Sequence, residues 1–416
     1  MLEKLRFIHA ADLHLDSLFK SKSHVSKALL ERLRMSTFEA FDRLIDAAIR
    51  SQVDFVLIVG DLFNEEMRSL KAQIHLRKGF ERLRDHAVQV YVSYGNHDFL
   101  QGAHYPIDFP ENVHIFSSQD VAAFTYKKKG EALANLYGFS YVEKKVTDRK
   151  VNEYIREGGA PLHIAMLHGS LDTNTEHDVY APFRLEELYE KQMDYWALGH
   201  IHKRQFLSED PPIVYPGNIQ GRSRKESGEK GCYLIDYDKG EWKKTFLPLQ
   251  SFVYDTISLS GESMGTPQDL EKVLDEAKSL VQRNEGGVML EVILTSTHGR
   301  LKKWQSEGVL LDWIELMNED EGEEDQWVWI DRVRIEDKPL QDEEDLRKGE
   351  HFTGELLREM DGLGEEELED CLSALFRHRK ASRFLDALSH EEKQEIIGAA
   401  KTLTLNRLLT KEGEHS

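Results

Sequence analysis

The stretch Leu5-Arg6-Phe7-Ile8-His9-Ala10-Ala11-Asp12-Leu13-His14 decides how the chain is read. Its first seven residues are a short apolar run, the pattern of a buried strand, and the run stops at a carboxylate. Outward from it, residues 25–49 have helical spacing, and Asp54-Phe55-Val56-Leu57-Ile58-Val59 brings back branched side chains. A second helical stretch covers 67–84, and Val88-Gln89-Val90-Tyr91-Val92-Ser93 is a third strand. Strand–helix–strand–helix–strand predicts a parallel-type α/β sheet with crossover helices. Further strands are expected at 135–139, 163–167, 195–198, 213–215 and 232–236, with fewer helices, so the second half of this part is β-rich.

The pattern restarts near 250–255. A strand at 253–259, a helix at 269–283, a strand at 287–295, an acidic loop at 318–326 and a strand at 327–336 form a small α/β unit. Glu, Lys, Leu and Ala then dominate, predicting helices at 353–360, 365–378, 382–387 and 391–409. The expected organisation is three parts, 1–250, 251–340 and 341–416. Leu356, Leu357 and Met360, then Leu368, Leu372, Leu375 and Phe376, give the last part amphipathic faces. These faces either pack back onto the preceding unit or receive a partner's helices.

Composition narrows the classes. The 416 residues are 40% hydrophobic and 31% charged, enough for packed cores, which excludes disorder throughout. No apolar run reaches the roughly 20 residues a bilayer span needs, and the N-terminus lacks a signal-peptide pattern. Cys232 and Cys371 are the only cysteines, so a disulfide framework or a cysteine zinc site is excluded and a reducing cytoplasm is expected. The net charge of −21 is uneven: residues 1–250 hold 34 Lys and Arg against 36 Asp and Glu, and residues 251–416 hold 20 against 39. Coating nucleic acid by charge alone is disfavoured. The acidic last part reads as solvated faces or as a surface for a basic partner.

The chemistry gathers where strands end. Asp12-Leu13-His14, Gly60-Asp61, Gly95-Asn96-His97-Asp98, His168-Gly169 and Gly199-His200-Ile201-His202 each follow a predicted strand. Ligands of open α/β sheets bind at such carboxyl ends. Taken singly, Asp-x-His reads as a buried histidine bonded to its own loop, and Gly-Asp as a turn. Taken together, the five supply carboxylates, an amide and imidazoles, the ligands of a pair of divalent metals. Asp12 and His14, two apart, point to one side if the strand continues, as do His200 and His202. Glycines at 60, 95, 169 and 199 permit sharp turns and close approach. Oxygen and nitrogen donors without sulfur suit Mn²⁺, and also Fe, Zn or Mg. His9, inside the first strand, reads as a core residue or a support behind the site. Lys127-Lys128-Lys129 before Gly130 reads as a hairpin tip, and Trp304, Trp313, Trp327 and Trp329 as core packing. Gly221-Arg222-Ser223-Arg224-Lys225 is a grip for a phosphate backbone or plain surface charge.

The ordered set resembles the calcineurin-like metallophosphoesterase superfamily. Ile8-His9-Ala10-Ala11-Asp12-Leu13-His14-Leu15, Gly60-Asp61-Leu62-Phe63, Tyr195-Trp196-Ala197-Leu198-Gly199-His200-Ile201-His202 and Tyr215-Pro216-Gly217-Asn218 are similar to its DNA-repair exonuclease, SbcD-type branch. The resemblance spans residues 5–250 and is only general over the acidic last third. It implies a β-sandwich flanked by helices, with a small α/β capping domain and a C-terminal helical region. It implies that Asp12, His14, Asp61 and His202 hold one metal, and Asp61, Asn96, His168 and His200 the other. His97 would then face the scissile phosphate, with Asp98 orienting it. The implied function is hydrolysis of DNA ends in repair, beside an SMC-like coiled-coil ATPase gripped by the C-terminal helices, which otherwise make a homodimer. A phosphoesterase for small nucleotides or phosphoproteins, and a weakly active interaction subunit, stay open. One position departs: the branch carries histidine three residues after the bridging Asp61, and here Asn64 stands there. Asparagine donates a hydrogen bond but carries no charge.

Overall fold

The computed structural model describes the chain except residues 1–3, 23–24, 65–67, 103–104, 106, 174–178, 283–285, 320, 323, 338–346, 350–351, 379, 382–384, 386–387 and 413–416. The expected helix at 382–387 lies almost wholly outside the described residues. Two compact units form, Met1–Leu18 with Glu31–Tyr254, and Phe19–Leu30 with Asp255–Ser416.

The first unit contains two six-stranded sheets. One holds β1 (Leu5–Ala11), β2 (Phe55–Val59), β3 (Gln89–Ser93), β4 (Val113–Ile115), β11 (Gly231–Asp238) and β12 (Glu241–Pro248), in the order β12-β11-β1-β2-β3-β4. The other holds β5 (Ala122–Lys128), β6 (Glu131–Gly138), β7 (Leu162–His168), β8 (Tyr195–Gly199), β9 (Gln205–Glu209) and β10 (Pro212–Tyr215), in the order β5-β6-β7-β8-β10-β9. Each sheet has four parallel strands, β1-β2-β3-β4 and β6-β7-β8-β10, with antiparallel strands at its flanks. The expected parallel sheet is therefore half of a mixed sandwich.

Alternation along the strands explains the layering. Leu5, Phe7 and Ala11 of β1 and Phe55, Leu57 and Val59 of β2 face Leu136, Ile164, Met166 and Tyr195 of the other sheet. Ile8, Ala10, Val56 and Ile58 face the opposite way, against α1 (Lys27–Arg50) and α2 (Leu70–Asp85). Strands covered on both faces read as unbroken apolar runs, as Phe55–Val59 does, with every residue buried. Ser69 caps α2 by accepting from the Ala72 N–H at 3.1 Å. His9 sits between the sheets, with Nδ1 3.0 Å from the Tyr195 hydroxyl and Nε2 3.1 Å from the Leu198 carbonyl. It is a core residue. The β5–β6 turn falls at Lys129 and Gly130, both at positive φ, so the lysine run is a hairpin tip.

The second unit has a three-stranded sheet of β13 (Phe252–Ser260), β14 (Gly287–Thr295) and β15 (Trp327–Glu336), in that order. Its helices include α4 (Asp269–Val281), α5 (Arg300–Ser306) and α6 (Val309–Met317), the last two not foreseen from sequence. Trp304, Trp327 and Trp329 are buried and Trp313 is half-buried, so this group packs the core. Helices α7 (Phe352–Asp361), α8 (Glu365–Phe376) and α9 (His390–Glu412) follow. Lys393 of α9 pairs with Glu365 and Glu369 of α8, and Leu357 of α7 is fully buried. Among the described residues no helix is long and apolar enough to cross a membrane.

Candidate metal centre

Five loops at the carboxyl ends of β1, β2, β3, β7 and β8 supply the expected residues. β1 ends at Ala11, so Asp12 and His14 do not ride on a continuing strand. Both have left-handed backbone, φ 53° and 43°, as do Asp61 at 53° and His200 at 96°. Their common direction comes from turns and not from strand alternation. Such residues cost of order 1–3 kcal/mol each and persist where the surroundings over-determine them. Here the Asp12 N–H donates to the Gly60 carbonyl at 3.2 Å and the His14 N–H to the Asp61 carbonyl at 3.0 Å. The two loops therefore continue the parallel pairing of β1 and β2 past the sheet.

Among the described residues, three groups of side chains bring ligand atoms within 4.8 Å of one another: Asp12, His14 and His202; His14, Asp61 and His97; Asp12, Asp61 and His168. His168 Nε2 lies 3.1 Å from Asn96 Oδ1 and 3.6 Å from Asp61 Oδ2. His200 belongs to none of these groups. Its ring stands edge-on to that of His168, with centroids 5.2 Å apart, and its backbone N–H donates to both Asp12 oxygens at 3.1 Å. Glycine lets the parts approach. A Cβ at Gly60 would fall 2.1 Å from His168 Nδ1, and one at Gly95 would fall 2.4 Å from Asp61 Oδ1.

The electrostatics fit a pair of cations. Burial, then the charge of Asp61, pushes the Asp12 carboxyl well above its usual range. Burial also acts to raise Asp61, but His168 and His97 outweigh it and hold this carboxyl low. Two carboxylates this buried cannot both be charged without positive charge between them. Burial lowers His14, His168 and His202, leaving neutral imidazoles with lone pairs to give. His14 Nε2 and His202 Nε2 face each other at 3.0 Å, and His14 Nδ1 is buried with no hydrogen-bond partner among the described residues. Convergent lone pairs at the two Nε2 atoms are what a metal resolves and a hydrogen-bond network does not.

Beside this core stands Glu226, which no motif revealed. Glu226 Oε1 lies 2.7 Å from His202 Nδ1, which fixes the tautomer that aims Nε2 inward. Arg222, Asn218 and Glu226 close the same corner. Glu226 has no strand-end signal, and only its tertiary neighbours mark it. Asp98 is placed differently from expectation. Its carboxylate accepts from the Leu62 and Gly95 N–H groups, both at 2.6 Å, so it ties the β2 and β3 loops together. Burial and then Asp61 raise it to about 7. The ring of His97 is instead oriented by Asn64, whose carbonyl lies 2.9 Å from Nδ1.

Comparison with known proteins follows this geometry. The calcineurin-like phosphoesterase family matches residues 5–204. A Bacillus subtilis (strain 168) protein, the uncharacterized metallophosphoesterase YhaO, is 40% identical over 409 residues, 98% of this chain and 99% of its own length. The chain belongs to the calcineurin-like metallophosphoesterases. More distantly it is similar to the DNA double-strand break repair proteins Mre11 of Methanopyrus kandleri, 25% identical over 57% of this chain and 55% of the relative. Mre11 of Saccharolobus solfataricus is 28% identical over 61% and 64%. This metallophosphoesterase is accordingly a metal-dependent hydrolase of a family that uses a dimetal centre.

Proposed function

We propose that the protein is a two-metal phosphodiesterase, loaded with Mn²⁺, that degrades DNA from its ends in repair. The carrying observation is the convergence of Asp12, His14, Asp61, His168 and His202 in overlapping groups whose ligand atoms lie within 4.8 Å of one another, in a sandwich related to Mre11 proteins. Asp12, His14, Asp61 and His202 would hold one ion. Asp61, Asn96, His168 and His200 would hold the other, with Asp61 as the bridge. When bound, the pair acidifies a water and neutralises phosphate charge.

The protein's own groups do the rest. A carbonyl only accepts, so His97 Nδ1 carries the hydrogen that binds the Asn64 oxygen. Nε2 is then left to exchange a proton with the leaving oxygen. Asp61 is steadied by the His97 backbone N–H, 3.0 Å from Oδ1, so bridge and proton donor move as one piece. Asp98 keeps both loops in register from behind.

The proposal extends to the rest of the chain, divided at about 250 and 340. Helices α7 to α9 would dock the coiled coil of an SMC-like ATPase, or a second copy of the chain, in a cytoplasmic setting. Similarity to DNA double-strand break repair proteins supports DNA as substrate, and Asn64 favours small activated diesters as the better ones. Assay with Mn²⁺ on linear duplex DNA, circular duplex DNA and bis-p-nitrophenyl phosphate tests this. Cleavage of linear DNA and of the small diester supports it. Turnover of phosphomonoesters alone refutes it.

A further inference from the structure

Asn64 leaves the phosphate side of the centre without the charge a histidine could carry, yet a cation stands beside it. Arg222 Nη1 donates to Asn64 Oδ1 at 2.6 Å, and Nη2 lies 3.3 Å from His202 Nδ1. We infer that Arg222 supplies the missing positive charge and binds a non-bridging oxygen of the phosphodiester. The inference rests on the phosphodiesterase reading above.

Access supports it. Asp12, His14, Asp61 and His168 are no more than 2% exposed, so a substrate cannot arrive through them. His97, Asn64, His202 and Arg222 are half-buried and form the open rim. On that rim Asn64 holds two groups at once. Its backbone carbonyl fixes His97 and its side-chain oxygen fixes Arg222, while the Ser17 hydroxyl, 3.1 Å away, orients the amide. The residue that lost the charge has become the mount for another.

The guanidinium is not used up by its neighbours. Glu226 is the nearest carboxylate, but it is engaged by His202 at 2.7 Å, by Asn218 at 2.8 Å and by the Arg222 backbone N–H at 2.7 Å. Its approach to the guanidinium is longer, 3.6 Å. The close side-chain bond of Arg222 is to a neutral amide, and Nε has no hydrogen-bond partner among the described residues. Five N–H donors in a planar fork match phosphate oxygens, and such charge-assisted bonds are the strong ones.

A competing account makes Arg222 only a brace for Glu226 and His202. It predicts loss of metal rather than loss of anion affinity. The full chain, loaded with Mn²⁺, is titrated with inorganic phosphate by calorimetry, and its metal content is measured in parallel. Arg222→Ala should keep its metals, bind phosphate roughly 10- to 100-fold more weakly and raise KM for bis-p-nitrophenyl phosphate. Arg222→Lys should recover part of the affinity, and Asn64→His should recover part in the Arg222→Ala background. If Arg222→Ala does not fold, Arg222→Lys is decisive, since its loss of the fork should still cost about threefold or more. Phosphate affinity within twofold of wild type in the folded variant, or metal loss in both variants, overturns the inference. A wild type that binds phosphate through Arg222 but hydrolyses no diester sinks the proposed function and leaves the inference standing.

Discussion

Replacing Gly95 by alanine should empty the centre without unfolding the protein. The added Cβ would lie 2.4 Å from Asp61 Oδ1 and 2.6 Å from His168 Nε2, where ordinary contact begins at 3.4 Å. One ligand must retreat by about 1 Å, and neither has room to do so freely. Asp61 Oδ1 is held by the His97 N–H at 3.0 Å, and His168 Nδ1 donates to the Val59 carbonyl at 3.0 Å. A misplacement of about 1 Å costs on the order of 100-fold in a positioned site. The expected result is at least that loss in hydrolysis of bis-p-nitrophenyl phosphate, with Mn²⁺ affinity reduced alongside. Gly130→Ala is the control. It sits at φ 89° with nothing within 4 Å, so it should cost about 1 kcal/mol of stability and leave metal content unchanged. Metal counting on dialysed protein and thermal melts give both readouts. A Gly95→Ala protein that holds its metals and turns over like wild type would refute the packing argument.

Asp61→Ala should abolish both metal binding and hydrolysis, because it removes the bridge; elemental analysis of the reconstituted variant checks it. His97→Ala should keep both ions and lose about 10²- to 10⁴-fold in kcat, read by steady-state kinetics beside metal content. Glu226→Gln should weaken metal affinity by roughly 10- to 100-fold through His202, measured by competition with a chelating dye. Cys232 is fully buried and its thiol is pushed up by burial, whereas Cys371 is exposed. A thiol reagent at pH 8 should therefore label Cys371 alone until denaturant is added, and mass spectrometry of the labelled peptides decides it.

Much of the fold was legible because its central strands are covered on both faces. Phe55–Val59 and Leu162–His168 leave no choice but a buried strand. Strands at the edges were not legible. β9 is at most half-buried throughout, and β12 alternates without a clean apolar face, so neither stands out from loop. α5 and α6 start from Gly299 and Gly308 in left-handed conformation, which sequence reads as turns rather than helix starts. At the centre, residue types and order were enough to expect that Asp12, His14, Asp61, His168 and His202 come together. Backbone direction was not, because strand alternation says nothing of the positive φ at Asp12 and His14. Glu226 was beyond reach in its role, since its contact to His202 crosses 24 residues, and Arg222 was legible only as part of a basic run, a phosphate grip or plain surface charge, without its contact to Asn64 across 158 residues.

The division of the proposed donors between the two sheets has a thermodynamic corollary. Asp12, His14, Asp61 and Asn96 leave strands of one sheet, and His168, His200 and His202 leave strands of the other. An ion bound across that seam favours only the chain whose sheets have closed on each other. By linkage, free ion at about 100 times its dissociation constant adds about 2.7 kcal/mol to that closed state per site. A chelator would then behave toward this sandwich as a gentle denaturant, and the melting temperature would act as a gauge of ion supply.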